Sequence, residues 1–409
     1  MKVLMISGDP GVLDPDTEAG KRTEEYRRIL EEPASPESQG GLDILLCRGN
    51  IFSFIAGFFR GVKIISRNKP DIITAQDMEH SLLAWKFSKI YGIPWQMQIH
   101  TDIFSPYFAK QSLKNQIRVR LAKFLLPRAD CVRVVSERIK KSIDSRLTIQ
   151  ASRIKVLPVF VDIEKIKNAP VKTDLHQKYG KDKFIILIAS RITKEKNIKM
   201  ALEVFASAKA QILQDLAQRD GSDLPAGRHG RAIRQPASPE LQRGEQANMR
   251  VLAKFGDETA LLLVVGDGPE KESLRRMARE LGLSENVKFE PRTNDLVSYY
   301  KTCDLFLLTS NYEGYGMTLV EAAAARLDSS ARQAGAKIIS SDVGIAGEIL
   351  SPEAIFKVGD KEDLKRKLGL ALEKKLPVPP APPQLTKEEY LRLYRNSFEA
   401  CLKQRKNPE

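Results

Sequence analysis

One pattern recurs along this chain: a short, nearly continuous apolar run, a turn carrying glycine or polar residues, then a segment of helical spacing. In the first half the apolar runs are "KVLMIS" (2–7), "LDILLC" (42–47), "DIITAQ" (71–76), "PWQMQIHTD" (94–102), "CVRVVS" (131–136) and "IKVLPVFVD" (154–162). Helical segments at 18–30, 80–92 and 112–129 lie between them. A strand that is apolar on both faces must be covered on both faces. Alternation with helices therefore predicts an α/β fold with a mainly parallel, doubly wound sheet.

The pattern then starts again. "FIILIAS" (184–190), "ALLLVV" (260–265), "NVKFE" (286–290), "CDLFLLTS" (303–310) and "AKIISSD" (336–342) read as strands, with helices at 198–213 and 271–282 between them. A chain of 409 residues exceeds one ordinary core and suits two. The expected division is an N-terminal domain at 1–165, a C-terminal domain at 166–385, and a last helix at 386–409 that packs back on the first domain. Three segments break the pattern: 31–41, 216–250 and 326–335. The first two share Ala-Ser-Pro-Glu-x-Gln, at 34–39 and 237–242, which suggests a repetitive element inserted in frame. The long one, 216–250, is polar and rich in Gly, Pro, Gln and Arg, and is expected to be a disordered surface insertion.

Composition narrows the function. Cys47, Cys131, Cys303 and Cys401 form no CxxC pair, so they read as buried thiols rather than as a zinc site or disulfide framework. The four histidines give no HExxH spacing, and no metal site is expected. The formal net charge of +14 favours anionic partners. Nothing resembles a recognition helix or an aromatic-rich binding sheet, so nucleic acid is not among the partners expected. No apolar run reaches membrane-spanning length, and the N-terminus lacks the pattern of a secretion signal, which places the protein in the cytoplasm.

The chemistry concentrates in "TSNYEGYGMTLVEAAAA" (309–325). It follows a buried strand, where ligands of open α/β sheets bind. Glycines there let backbone N–H groups approach a ligand, and the helix beginning near Met317 aims its positive end at the same place. A phosphate suits that position. Glu313 and Glu321 would repel it, but a carboxylate suits the paired hydroxyls of a sugar or ribose. "SRITKEKN" (190–197) puts Arg191 and Lys196 after another strand, where two cations can neutralise a diphosphate. "VVGDGPE" (264–270) adds a third glycine turn, with Gly266 and Gly268.

With these motifs the second half resembles the nucleotide-sugar-binding domain of glycosyltransferase family 4, whose GT-B architecture has two Rossmann-like domains facing across a cleft. The resemblance rests on Glu313 and Glu321 in E-x7-E spacing, on "SRITKEK" and on "GDGPE". It implies a retaining, metal-independent glycosyltransferase with no cofactor. His100, Arg191, Lys196 and Glu313 would be catalytic. Gly266, Gly268, Gly314, Tyr315, Gly316, Met317, Thr318 and Glu321 would bind the nucleotide-sugar donor. His100 ends a strand of the first domain, with Asp102 two residues on, on the acceptor side. Gly20, Lys21 and Arg22 are the nearest match to the family's first glycine loop. One departure is clear: "RLDSSARQ" (326–333) separates the alanine helix from the strand that follows it in the family.

The implied acceptor is a saccharide or lipid-linked saccharide of surface polysaccharide biosynthesis. Basic, amphipathic segments at 112–128 and 136–142 make an anionic membrane surface a candidate partner, with the protein peripheral on its inner face. Alternatives of the same architecture are a nucleotide-sugar epimerase, a glucan phosphorylase and a sugar-nucleotide-binding protein whose insertions have abolished catalysis.

Overall fold

A computed structural model of the chain describes residues 1–32, 40–48, 51–220, 260–327, 337–373, 375–377 and 381–406. The chain divides into two compact units. The first holds Met1–Asp162, Tyr312–Tyr315 and Gln384–Glu409; the second holds Ile163–Asn311 and Gly316–Pro383.

The first unit is built on β1 (Lys2–Ser7), β2 (Gly41–Leu46), β3 (Ile72–Gln76), β4 (Trp95–Ile99), β5 (Cys131–Val134) and β6 (Ile154–Val156). They form one parallel sheet in the order β2-β1-β3-β4-β5-β6. The direction of winding reverses between β1 and β3, a topological switch point of the kind that opens a crevice at the strands' carboxyl ends. One face carries Val3, Met5, Ile72 and Cys131, and it is covered by Tyr26, Ile29 and Leu30 of the helix Glu18–Glu31 and by Tyr390, Tyr394 and Phe398 of the helix Lys387–Lys406. Tyr26 stacks on Tyr394 with ring centroids 3.9 Å apart, and its hydroxyl meets that of Tyr390 at 2.9 Å.

The second unit uses β7 (Phe184–Ala189), β8 (Ala260–Val265), β9 (Val287–Glu290), β10 (Leu305–Leu308), β11 (Lys337–Ser341) and β12 (Ile355–Phe356). Their order is β12-β11-β10-β7-β8-β9, again all parallel. Here the winding reverses between β7 and β10. The core is aliphatic: Ile186, Leu262, Val264 and Leu307 pack against Leu202 and Phe205 of the helix Ile198–Asp220 and against Leu364 and Leu368 of the helix Lys361–Leu372.

The structure corrects several expectations. Cys131 and Cys401 are not free thiols but form a disulfide, whereas Cys47 and Cys303 are free and buried. Their 270-residue separation concealed the pairing: the last helix brings Cys401 back onto β5. The helix Ile51–Asn68 was not anticipated, because Gly57 and Gly61 interrupt its aromatic-rich run. The segment read as one helix at 112–129 ends as a helix at Leu125 and tightens into a 3-10 turn at Leu126–Arg128, where Pro127 cannot continue the ladder. The helix after β7 runs on to Asp220, into the expected insertion. The rest of that insertion, and most of 326–335 and of 31–41, lie outside the described residues.

Candidate active site

In the second unit the three sequence motifs follow three neighbouring strands, β8, β7 and β10. The loop after β7 is fastened at both sides. Thr309 Oγ1 donates to the Lys196 carbonyl at 2.8 Å, Asn311 N donates to the Glu195 carbonyl at 2.7 Å, and the Asn197 amide reaches Asn311 Oδ1 at 3.1 Å. Asn197 takes a left-handed conformation, φ 47°, which asparagine tolerates better than most residues. On the other side Ile192 N donates to the Asp267 carbonyl at 2.9 Å and Glu270 N to the Ile192 carbonyl at 3.1 Å. This contact explains the two glycines of the β8 turn. A Cβ on Gly266 would stand 1.9 Å from the Ser190 carbonyl oxygen, and one on Gly268 would stand 2.3 Å from that of Ile192. They are needed for loop-on-loop packing, whatever they also offer a ligand.

Arg191 is exposed and leans on Glu195 Oε1 at 3.4 Å, while Lys196 is half-buried. Glu195 is held below the usual carboxylate range: burial pushes it up, but hydrogen bonds from Thr193 and its own backbone and the charges of Arg191 and Lys196 outweigh that. The pair of cations thus sits on a loop whose one acid is already committed.

Gly316, at φ 94°, caps the helix Met317–Ala325, whose Ala322–Ala325 are all buried. Only glycine accepts that backbone without strain. Met317 is exposed and Thr318 half-buried at the first turn. Glu321, one turn in, accepts from the Tyr300 hydroxyl at 3.0 Å. Burial raises the Glu321 carboxyl, and the Tyr300 bond works against that. Tyr300 itself is buried and set edge-on to Phe306 with centroids 5.5 Å apart. Tyr300, which thus holds the Glu321 carboxylate in place, was not flagged by the sequence motifs; its only trace was a tyrosine on the helix before β10.

The first unit gathers the remaining candidates, and with them Tyr312–Tyr315. Glu313 is half-buried there, and Gly314 and Tyr315 are buried. Ser136 Oγ donates to the Gly314 carbonyl at 2.9 Å. A Cβ on Gly314 would stand 1.8 Å from the carbonyl oxygen of His100, so the glycine turn and the end of β4 touch backbone to backbone. Tyr312 lies edge-on to Phe108 at 5.4 Å, and its hydroxyl donates to Gln111 Oε1.

His100 keeps an exposed surface, yet the protein packed around it and then the positive charge of Arg133 hold its imidazole down to about 3. Asp77 opposes this and Arg22 adds to it. The imidazole is therefore held neutral. Asp77, which the sequence reading passed over, stands at the end of β3 with φ 70°, a strained conformation for a non-glycine residue. Its carboxylate is held low, chiefly by a hydrogen bond from His80. Asp102 is raised by burial and accepts from Ser142 Oγ at 2.9 Å. Gly20 lets the helix Glu18–Glu31 begin tight on its entry loop, where a Cβ would meet the Asp14 carbonyl oxygen at 1.8 Å. Lys21 is exposed and paired with Glu18 at 3.2 Å; Arg22 is exposed. Among the described residues no group of three or more His, Cys, Asp or Glu is placed to hold a metal ion.

Two parallel, doubly wound sheets with these loops are the GT-B architecture. Two family models match the chain: "Glycosyltransferase Family 4" over residues 27–165 and "Glycosyl transferases group 1" over residues 247–389. The chain belongs to glycosyltransferase family 4. An uncharacterized glycosyltransferase of Methanocaldococcus jannaschii is 22% identical over 323 residues, covering 76% of this chain and 65% of that protein. The chain spans less than two thirds of the length of the first curated relatives it matches. Among solved structures, Anabaena HepE in complex with UDP superposes with a TM-score of 0.59 at 18% identity, covering 98% of this chain and 94% of that one. Sucrose-phosphate synthase from Thermosynechococcus elongatus superposes with a TM-score of 0.63 at 16% identity, covering 98% and 99%.

Proposed function

We propose that the protein moves a sugar from a nucleotide-sugar donor to a saccharide or lipid-linked saccharide acceptor, with retention of anomeric configuration and without a metal ion. The observation that carries this is the convergence of the two cations, the glycine turns and a helix N-terminus beyond three adjacent strands of one sheet. Arg191 and Lys196 would hold the diphosphate and stabilise it as it leaves, which is the charge work a metal does elsewhere. Glu321, oriented by Tyr300, would take the ribose hydroxyls. Glu313 and the backbone of Gly314–Met317 would hold the sugar and neighbouring phosphate. The neutral ring of His100 would accept or donate a hydrogen bond at the acceptor side. The UDP in the Anabaena protein supports a nucleoside diphosphate as the occupant.

The test is a screen of UDP-, GDP- and ADP-sugars for release of the nucleoside diphosphate, beside Glu313→Ala. Release from one donor, falling about a hundredfold or more in the variant, is the expected result. Release that is the same in both proteins would remove Glu313 from the chemistry, and failure to bind any nucleotide would end the donor reading.

The acceptor reading extends to a membrane. On the helix Ile51–Asn68, Phe52 and Phe59 are 79% and 68% exposed, beside exposed Arg60, Lys63 and Arg67, and the helix has no acidic residue. An apolar stripe continued by basic residues suits the inner, anionic face of a bilayer. Sedimentation with anionic vesicles that Phe52→Ser with Phe59→Ser leaves undiminished would count against this surface.

A further inference from the structure

The first sheet buries a charge that the transfer reading does not use. Arg133, beside Gln98 in the register of β5 and β4, is 3% exposed. Its Nε and Nη1 have no hydrogen-bond partner, and no carboxylate among the described residues pairs with it. Its guanidinium lies 5.1 Å over the ring of Tyr394, whose buried hydroxyl interacts with the Gln98 side chain. Every other polar group on this face is engaged. Gln96 reaches Ser397 Oγ at 3.3 Å, Gln98 reaches Thr74 Oγ1 at 2.7 Å, and Ser7 reaches Gln76 at 3.3 Å.

Charge around Arg133 is lopsided. Arg22 acts on both Tyr394 and His100 in the same sense as Arg133 does. Burial holds Tyr26 and Tyr394 as neutral phenols, so neither supplies a negative partner. Asp77 is committed to His80. A buried, unpaired cation is destabilising, so a fold that keeps one has a use for it. Arg133 stands one residue before the carboxyl end of β5, and His100, open to solvent, stands just past the end of the adjacent β4. A guanidinium fork matches the oxygens of a phosphate two at a time.

We infer that Arg133, with Arg22 near it, receives a phosphate-type oxyanion carried by the acceptor. The assignment to the acceptor rests on the transferase reading; the anion site itself does not. The chemistry it selects is a phosphorylated acceptor over a neutral sugar.

The experiment is calorimetric titration of the full chain with inorganic phosphate at constant ionic strength, repeated with saturating UDP. Saturable phosphate binding is expected. It should weaken at least about tenfold in Arg133→Met, which removes a charged hydrogen-bonding partner, and less in Arg133→Lys. Arg120→Ala, at an exposed position on the helix Leu113–Leu125, should bind phosphate like the wild type. Arg133→Met should also be no less stable without phosphate, since an apolar residue of similar volume replaces an unpaired ion. Heat no greater than that from chloride, or full binding in Arg133→Met, overturns the site. Should Arg133→Met not fold, Arg22→Ala is read in the same way. Phosphate that UDP displaces belongs to the donor and overturns the acceptor assignment. Because this readout needs no sugar donor and no turnover, phosphate binding can fail while nucleoside diphosphate release survives, or the reverse.

Discussion

The two sheets are both parallel and doubly wound, but they differ in strand order and in interior. In the second unit β8 is apolar and buried along its whole length, Ala260–Val265, and the polar residues buried within the strands are two small serines, Ser340 and Ser341, at the end of β11. In the first unit the strands carry Thr74, Gln96, Gln98 and Arg133 inside, under two helices, with a disulfide fixing the second of them. An apolar interior needs only shape to be complete. A polar interior needs each group matched, and it is specific because a mismatch is costly. The second unit thus holds its charged candidate residues beyond the strands, whereas the first places a guanidinium and two amides within the strands themselves.

Phe306→Ala cuts deepest into the apolar sheet. The ring is wholly buried in β10 against Tyr300, and its loss should cost about 3–5 kcal/mol in urea unfolding. A cost below about 1 kcal/mol would mean this sheet is not the close-packed body described.

In the first unit the comparable element is the bond between Cys131 and Cys401, which should contribute about 2–4 kcal/mol. Cys401→Ser, or reduction, should lower hydrogen-exchange protection in β5 and the helix Lys387–Lys406 while leaving β7 and β8 as they were. Equal loss in both units would mean that the two interiors are not independent.

Gln98→Leu tests polar matching directly. The change keeps the approximate volume but leaves Thr74 Oγ1 without the donor at 2.7 Å, for an expected loss of about 1–3 kcal/mol. A neutral or stabilising outcome would show that the interior polarity is incidental, and the contrast between the sheets would fall.

The same contrast decides what was legible in the sequence. Unbroken apolar runs such as 184–189 and 260–265 announce buried parallel strands, and glycine with charge just after them announces loops. Arg191, Lys196, Gly316 and Glu321 were singled out as candidates that way. The features of the first interior announce nothing. "CVRVV" reads as a strand whether its arginine faces water or core, and no local spacing relates Cys131 to a partner 270 residues away. Tyr300 escaped for a related reason: its bond is to Glu321, on another helix, and no local spacing encodes it.

Tyr300→Phe should leave the apolar sheet intact, because the ring and its packing on Phe306 remain. Only the 3.0 Å bond to Glu321 is lost, worth about 0.5–1.5 kcal/mol, or a roughly two- to tenfold weaker nucleotide affinity. Unchanged affinity with an unchanged fold would remove Glu321 from ribose recognition.

The smallest effect expected is in the pH dependence of the first unit. An unfolded histidine titrates near about 6.5. In the fold His100 is held down to about 3, by burial first and by the Arg133 charge second, with Arg22 in the same direction and Asp77 opposed. Between those values the unfolded chain binds a proton that the folded one refuses, so His100 costs nothing above the upper value and progressively more as pH falls toward the lower. His80 is raised instead: burial lowers it, but the bond to Asp77 and those to the Gln76 and Cys47 carbonyls prevail, so its contribution is present at low pH and fades as pH rises. Comparing wild type with His100→Asn cancels the His80 part. The variant should lose less stability on acidification below about 6.5. Since solvent reaches the His100 ring, the difference should be modest, and Arg133→Met should shift the His100 imidazole resonance toward an ordinary titration. An unaltered His100 titration in Arg133→Met would show that the buried guanidinium does not act on the end of β4, and would separate the polar interior from the site it borders.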